Sequence, residues 1–187
     1  LIQAFAGPIR LQGQEASAAV SLFRHVARRC STGDVEQGEH DVSRQSKSIE
    51  ISRPIGVVFA YLDDVDREHE WQPRLESATK DPPGPSQVGT RKSYVSEFLG
   101  RRTQNTYVVR EMGPGWRIVY ATTSDSTVDA TSEVECEATS DGTMITMSVE
   151  ASPRGALKLI PSAALEKAAR DQLDAMLTLL KERLEAV

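Results

Sequence analysis

Between Pro73 and Pro153 the apolar residues recur with a period of two, and the stretches that interrupt this pattern are only a few residues long. The runs Leu75–Lys80, Thr90–Leu99, Arg101–Glu111, Trp116–Ser124, Thr127–Ala138 and Thr143–Ala151 read as strands. Turn-forming clusters separate them: Asp81-Pro82-Pro83-Gly84-Pro85, Gly100, Gly113-Pro114-Gly115, Ser124-Asp125-Ser126 and Asp141-Gly142. A parallel pair needs a crossover of about a dozen residues or more, and no such connection exists here. Six successive strands with short links can only make an antiparallel meander.

One hairpin invites a register. Asp141-Gly142 is a favoured type I′ pair, and a two-residue loop would set Ser140 opposite Thr143. Counting back pairs Ala138 with Ile145, Cys136 with Met147, Val134 with Val149 and Ser132 with Ala151. Glu133, Glu135 and Glu137 then share the opposite, solvated face. Cys136 is expected as a buried thiol with no redox role.

Helical spacing flanks the meander on both sides. Lys47–Ser52 alternates and runs into Pro54, which suits a first helical turn capped by Ser52 or Arg53. Ile55, Val58, Phe59 and Leu62 form one apolar stripe, and Asp63-Asp64 ends the helix. A short helical turn is expected over Asp66–Glu70, before Trp71-Gln72-Pro73 breaks it. From about Pro161 to Glu185, Leu165, Ala169, Leu173, Met176, Leu177, Leu180 and Leu184 share one face of a long helix. The fold class is therefore α+β: a curved antiparallel sheet, made of a first strand and the meander, wrapped on a long C-terminal helix with two short helices between.

Residues 1–43 read differently from residues 44–187. Arg10, Arg24, Arg28 and Arg29 face a single acid, Glu15, up to residue 30, and Asp34, Glu36, Glu39 and Asp41 then follow without a base. Ala16–Arg29 could form a short amphipathic helix of the transit-peptide or membrane-surface kind, and a poorly ordered extension is the plainer expectation. Because it opens on Leu1 rather than a methionine, the segment can also belong to a longer or processed chain.

Composition narrows the function. With 22 Lys and Arg against 27 Asp and Glu, the net charge of −5 argues against nucleic acid as a partner. No stretch approaches the roughly 18 apolar residues of a membrane span, so an integral membrane protein is not expected and the cytoplasm is. Two cysteines and three histidines are too scattered for a metal site or a disulfide scaffold, and no cofactor is expected. His69 lies in a charged turn, no Gly-x-Ser-x-Gly elbow exists, and no glycine cluster has the lysine of a phosphate loop, so no catalytic set is assigned.

What remains is the space under the long helix. The inward strand residues are modest, among them Val128, Ala130, Ser132, Val134, Cys136, Ile145, Met147, Val149 and Ala151. A strongly curved sheet with such residues either collapses to a dry core or leaves an apolar cavity, and periodicity alone leaves both open. Cavity candidates are Phe59, Val134, Cys136, Met147, Val149, Leu173, Met176, Leu177 and Leu180, with Tyr94, Asn105, Tyr107 and Tyr120 as polar groups able to orient a ligand. Strand tyrosines packing at a sheet edge are the alternative for these last four. Trp71 and Trp116 are expected to be structural. Arg91, Arg101, Arg102, Arg110 and Arg117 are expected to pair with the acidic stripe. The loop Asp81–Gln87 is expected near the cavity entrance.

The segment Ser48–Trp71 resembles the opening of the START/Bet v-allergen-like (SRPBCC) superfamily: a strand, a proline, the helix Val-Phe-Ala-Tyr-Leu, an aspartate and a Trp-x-Pro. Val88-Gly89, Gly100, Val109-Arg110-Glu111, Asp141-Gly142-Thr143 and the ending Leu180–Glu185 follow in the superfamily's order, so the resemblance spans about residues 46–186. It is closest to the polyketide cyclase/dehydratase-like and coenzyme-Q-binding-like bacterial members. It implies a helix-grip cavity for a hydrophobic or amphipathic small molecule such as a lipid, quinone or polyketide. It does not imply one chemistry. A non-enzymatic carrier or sensor is the first expectation, a cyclase/aromatase-type enzyme the alternative, and a partner-regulating domain the third. A polar triad converging in the cavity would favour the enzyme, and a purely apolar one the carrier. Oligomeric state is not legible.

Overall fold

The computed structural model describes residues 43–186. The expected Ala16–Arg29 helix and the charge-reversing extension lie outside these residues. The chain runs through β1 (Ser43–Ile51), α1 (Ile55–Asp63), a 3-10 helix (Val65–Glu70), β2 (Leu75–Asp81), β3 (Arg91–Phe98), β4 (Arg101–Gly113), β5 (Arg117–Thr122), β6 (Val128–Ala138) and β7 (Thr143–Pro153). A second 3-10 helix (Gly155–Leu159) and α2 (Ser162–Glu185) complete it. The six meander strands all form, and β1 joins them beside β7, giving one antiparallel sheet in the order β1-β7-β6-β5-β4-β3-β2. No helix among the described residues is long and apolar enough to cross a membrane.

Short links force antiparallel pairing, and irregularities bend the result. The register slips between Leu75 and Ser77 against β3, and between Val109 and Glu111 against β5. Extra residues of this kind coil a sheet locally. The curved sheet then grips α2, whose Leu173, Leu177, Leu180 and Leu184 are buried. They pack with Val58, Phe59 and Leu62 of α1 and with Ile51, Ile145 and Met147 of the sheet in one core. The charged residues Lys167, Arg170, Asp171 and Glu182 point to solvent, as the stripe requires.

Two local expectations are corrected. Pro54 is itself the N-cap, in extended conformation, and is not a first-turn residue capped by Ser52 or Arg53. Both of those residues are committed elsewhere: the Ser52 N–H donates to Glu185 Oε1 at 2.9 Å and Arg53 Nε to the Leu184 carbonyl at 2.8 Å. They tie the start of α1 to the end of α2.

The β6–β7 register also differs. Ala138 pairs with Thr143, Cys136 with Ile145, Val134 with Met147 and Ser132 with Val149, which is two residues away from the expected pairing. The loop is Thr139–Gly142, closed by a bond from the Thr139 N–H to the Gly142 carbonyl at 3.0 Å. Gly142 does not adopt the positive φ of a type I′ turn. A Cβ there would stand 2.1 Å from the Ile51 carbonyl oxygen, so glycine is needed for close approach to the end of β1. The two-residue I′-like loop lies instead at Leu99-Gly100, φ 50° and 70°, between the paired Phe98 and Arg101. A slip of two leaves every side chain on its own face, so Val134, Cys136, Met147 and Val149 still point inward.

Gly142→Ala should therefore destabilise the domain by about 1–3 kcal/mol, the range for steric overpacking. Urea unfolding checks it; a loss below about 0.3 kcal/mol would show that the β1 end moves aside without strain.

Candidate functional site

The dry-core alternative fails. A cavity of about 270 Å³ lies between the sheet and the N-terminal half of α2. α2 contributes Ala169, Gln172, Leu173 and Met176 to its roof, and Phe59, Leu62 and Trp71 close one side. Its floor is built from alternate strand positions: Lys92, Tyr94, Ser96 and Phe98 of β3, Asn105 and Tyr107 of β4, Ile118 and Tyr120 of β5, Ala130, Ser132 and Val134 of β6, and Met147, Val149 and Ala151 of β7. Where α2 packs with Leu177, Leu180 and Leu184 the core is filled; towards its N-terminus the facing residues are Ala, Ser and Val, and the space stays open.

An outer recess of about 450 Å³ shares Phe98, Val128, Val149, Ala151 and Ala169 with the cavity. Its outer wall is the β7–α2 link, Ser152–Ser162, where Leu159 is 84% exposed. The mouth is thus at the β7–α2 link and the β3–β4 turn. This overturns the expectation for the loop Asp81–Gln87, none of whose residues lines the cavity. That loop sits at the opposite end, where Ser86 is buried against Asp63, its N–H donating to Oδ2 at 2.7 Å and its hydroxyl to Oδ1.

The inner end carries buried charge. The Lys92 side chain is 1% exposed and that of Glu68 2%, with Nζ 2.9 Å from Glu68 Oε1. Lys92 also reaches the Asp63 carbonyl at 3.4 Å and Asp63 Oδ1 at 3.6 Å, while Lys80 Nζ lies 2.7 Å from the same carbonyl and 3.5 Å from Oδ2. Glu68 accepts two further bonds, from the Tyr94 hydroxyl at 3.0 Å and from Gln72 Nε2 at 2.6 Å.

Burial pushes the Glu68 carboxyl above its ordinary range, against the pull of Lys92 and Tyr94. Burial alone would depress Lys92, but Tyr120, Glu68 and Asp63 outweigh it and hold the ammonium above its usual range. The two upward shifts favour opposite charge states of the pair. We assign the ion pair, because Lys92 Nζ stands 2.9 Å from Glu68 Oε1 and the Tyr94 hydroxyl and Gln72 amide can both donate to the carboxylate. Burial raises Tyr120 to about 12, opposed by the neighbouring Lys92, and burial also lifts Tyr94 and Tyr107.

Of the residues expected to form the cavity, Phe59, Tyr94, Asn105, Tyr107, Tyr120, Val134, Met147, Val149, Leu173 and Met176 line it. Cys136, Leu177 and Leu180 do not; they belong to the solid core beside it. Burial lifts the Cys136 thiol to about 11, as suits an unreactive core residue. The tyrosines are interior and not sheet-edge residues, Tyr94 and Tyr107 meeting edge to face at 5.8 Å. Asn105 is partly spent on structure, its Oδ1 accepting from the N–H groups of Thr127 at 3.0 Å and Val128 at 3.3 Å. His69 is exposed, as expected. Trp71 is buried and lines the cavity, whereas Trp116 is 49% exposed over Gly113. Arg117 pairs with Glu111, Glu133 and Glu135, and Arg102 with Glu76.

Asp63, Glu68, Lys80 and Lys92 were not anticipated. Lys92 had a usable signal, since it stands two residues before Tyr94 on the same face of β3. Glu68 had none, being one buried residue in an otherwise charged 3-10 turn.

Residues 43–185 match the family described as polyketide cyclase/dehydrase and lipid transport. No curated protein matches the chain in sequence. Similar solved structures include a START superfamily protein from Mycobacterium smegmatis, 15% identical, covering 76% of this chain and 97% of its own, with a TM-score of 0.64. An aromatase/cyclase from a Streptomyces species is 14% identical over 77% of this chain and 94% of its own, also at 0.64. A Thermus thermophilus protein is 13% identical over 77% and 98%, at 0.65. At these identities the likeness concerns the fold, and the curved sheet with its C-terminal helix is the helix-grip arrangement.

Lys92→Met should cost roughly 3–5 kcal/mol, because it strands Glu68 as an uncompensated buried charge. Lys92→Met with Glu68→Leu should cost less than the single change, as denaturant unfolding of the set would reveal; a simple sum would mean the two groups are independent.

Alkali gives a second test. Tyr61 and Tyr120 are raised to about 12, and Tyr94 and Tyr107 are raised as well. The folded state holds these protons when the unfolded chain releases them near pH 10. Their contribution to stability is complete below about pH 10 and lost as the pH climbs through the folded values. Tyrosinate absorbance should lag that of the protein in denaturant, and stability should fall over this window; coincident titrations would show the tyrosines to be solvated.

Proposed function

The chain belongs to the polyketide cyclase/dehydrase and lipid transport family, and from that premise we propose that its cavity binds a hydrophobic or amphipathic small molecule as a carrier or sensor. The observation that carries this reading is the cavity itself: about 270 Å³ of largely apolar space beside an outer recess with which it shares lining residues. A ligand entering by the β7–α2 link would lay its apolar body along Val134, Met147, Val149, Leu173 and Met176. Its inner tip would meet Tyr120, Trp71 and the Lys92–Glu68 pair.

A cyclase/aromatase-type activity is the second reading, favoured by the polar groups that converge at the inner end. Such an enzyme would act mainly by holding a reactive chain in one folded shape. The Tyr120 hydroxyl beside Lys92 is the group best placed to polarise a carbonyl. Glu68, already bonded by three donors, is poorly placed to take a proton. The large exposed apolar residues Val57, Val88, Leu99, Trp116 and Leu159 stand on separate elements and turns, which gives a partner-binding role little support.

Native mass spectrometry of freshly purified protein, with extraction of whatever co-purifies, tests the first reading directly. Recovery of an unmodified apolar compound supports the carrier; recovery of a cyclised or dehydrated product from an added precursor supports the enzyme. An apolar fluorescent probe should bind at micromolar strength, about −8 kcal/mol. Val149→Trp should abolish that binding by filling the space and leave the far-ultraviolet circular dichroism unchanged. Unchanged binding in the variant would move the site elsewhere.

A further inference from the structure

Two loops from distant parts of the chain bound the mouth. Phe98 and Leu159 both line the outer recess, which brings the β3–β4 turn and the β7–α2 link to the same opening. Each loop presents a leucine to solvent, Leu99 at 40% exposure and Leu159 at 84%. Both are held there by structure. Leu99 sits at φ 50° in the two-residue loop between the paired Phe98 and Arg101. Leu159 ends a 3-10 helix that the buried Leu157 anchors.

The loop tips are also basic. Residues 98–102 carry Arg101 and Arg102, residues 155–164 carry Lys158, and neither stretch contains an acid. Arg102 is engaged by Glu76 at 2.9 Å, whereas Arg101 and Lys158, both exposed, form no ion pair among the described residues. Glu76, Glu97 and Glu166 stand behind the tips, in β2, β3 and α2. A chain of net charge −5 thus turns bases, and no acid, outward at its opening.

Two leucines on separate loops do not make the contiguous apolar patch of a protein interface. A bilayer asks for no such patch: it takes single apolar side chains between its headgroups and attracts neighbouring bases when those headgroups are anionic. We infer that the rim of the mouth, with Leu99 and Leu159 as inserting side chains and Arg101 and Lys158 as headgroup contacts, docks on an anionic lipid surface. The inference goes beyond the ligand-binding reading and stands on the rim alone; it adds the surface against which the cavity opens.

Co-sedimentation of the full chain with vesicles tests it. Vesicles of equal parts phosphatidylglycerol and phosphatidylcholine should bind the protein about tenfold or more tightly than pure phosphatidylcholine. Leu99→Asn with Leu159→Ser should weaken that binding about tenfold or more, the scale of one leucine leaving water. Asparagine tolerates the positive φ at position 99, so the turn is kept. Arg101→Gln with Lys158→Gln should weaken it about twentyfold, each base near an anionic surface being worth roughly fivefold. Trp116 is the contrasting exposed apolar residue: its carbonyl accepts from the Cys136 N–H at 2.7 Å, towards the end of β6 away from the mouth residue Val128. Trp116→Ala should leave vesicle binding within about twofold.

Absence of vesicle binding by the wild-type chain would overturn the inference, as it would if residues 1–42 covered the rim. Equal binding to neutral and anionic vesicles would overturn it too. So would rim variants that bind like the wild type, since the contact would then lie elsewhere, for instance at the arginines of residues 1–30. A loss with Trp116→Ala as large as with the rim variants would count against it in the same way. The ligand-binding reading is judged separately, by saturable binding of N-phenyl-1-naphthylamine to the wild-type protein without vesicles. Probe binding without vesicle binding sinks the docking surface alone, and the reverse result sinks the cavity reading alone.

Discussion

The buried pairing of Lys92 with Glu68 and Asp63 is the constraint on which the rest of the site depends. It draws together the end of α1, the 3-10 helix, the end of β2 and the start of β3, the last two separated in sequence by the proline- and glycine-rich link of residues 82–90. Taking these charges out of water is expensive and tolerable only when each is met by several partners. Asp63 meets Ser86 and two lysines, and Glu68 meets Lys92, Tyr94 and Gln72. With this end locked by polar bonds, the opening falls to the other end, where Leu99 sits at φ 50° in a tight turn and Leu159 is exposed.

Curvature and residue size then produce the cavity together. Bulges bend the sheet around α2, and the same helix is solid at one end and vaulted at the other because its partners change along its length. Around Leu177, Leu180 and Leu184 lie Ile51, Val58 and Ile145; around Ala169 and Gln172 lie Ala130, Ser132 and Ala151. Small side chains on a concave surface cannot reach across to a helix held away by larger neighbours further along.

Most of the architecture was legible because it rests on periodicity, and periodicity is robust to small errors. The β6–β7 register was displaced by two residues, yet Val134, Cys136, Met147 and Val149 kept their face, since strand side chains repeat every two. What periodicity could not tell was depth along the cavity, and so Cys136, Leu177 and Leu180 were grouped with true lining residues although they lie in the filled part. The entrance was misplaced for a related reason: a proline-rich loop looked like a gate, while its single serine, Ser86, is a buried partner of Asp63. The ion network was hidden because a lysine in a strand and a glutamate in a charged turn both read as surface. In β3, the shared face of Lys92 and Tyr94 was the available clue.

The same network bears on whether the cavity carries or converts its ligand. A general acid or base must hold a proton or lone pair that is free to move. Glu68 accepts from three donors, and the ammonium of Lys92 is held by Glu68 and Asp63, so both are engaged while the pair is intact. Tyr120, which lines the cavity, keeps its proton, since burial raises its hydroxyl to about 12. A hydroxyl that keeps its proton can donate a hydrogen bond without acting as a base. Chemistry would therefore have to come from the ligand's own reactivity, set by the shape in which the cavity holds it, and for a ligand without that reactivity the same contacts amount to binding.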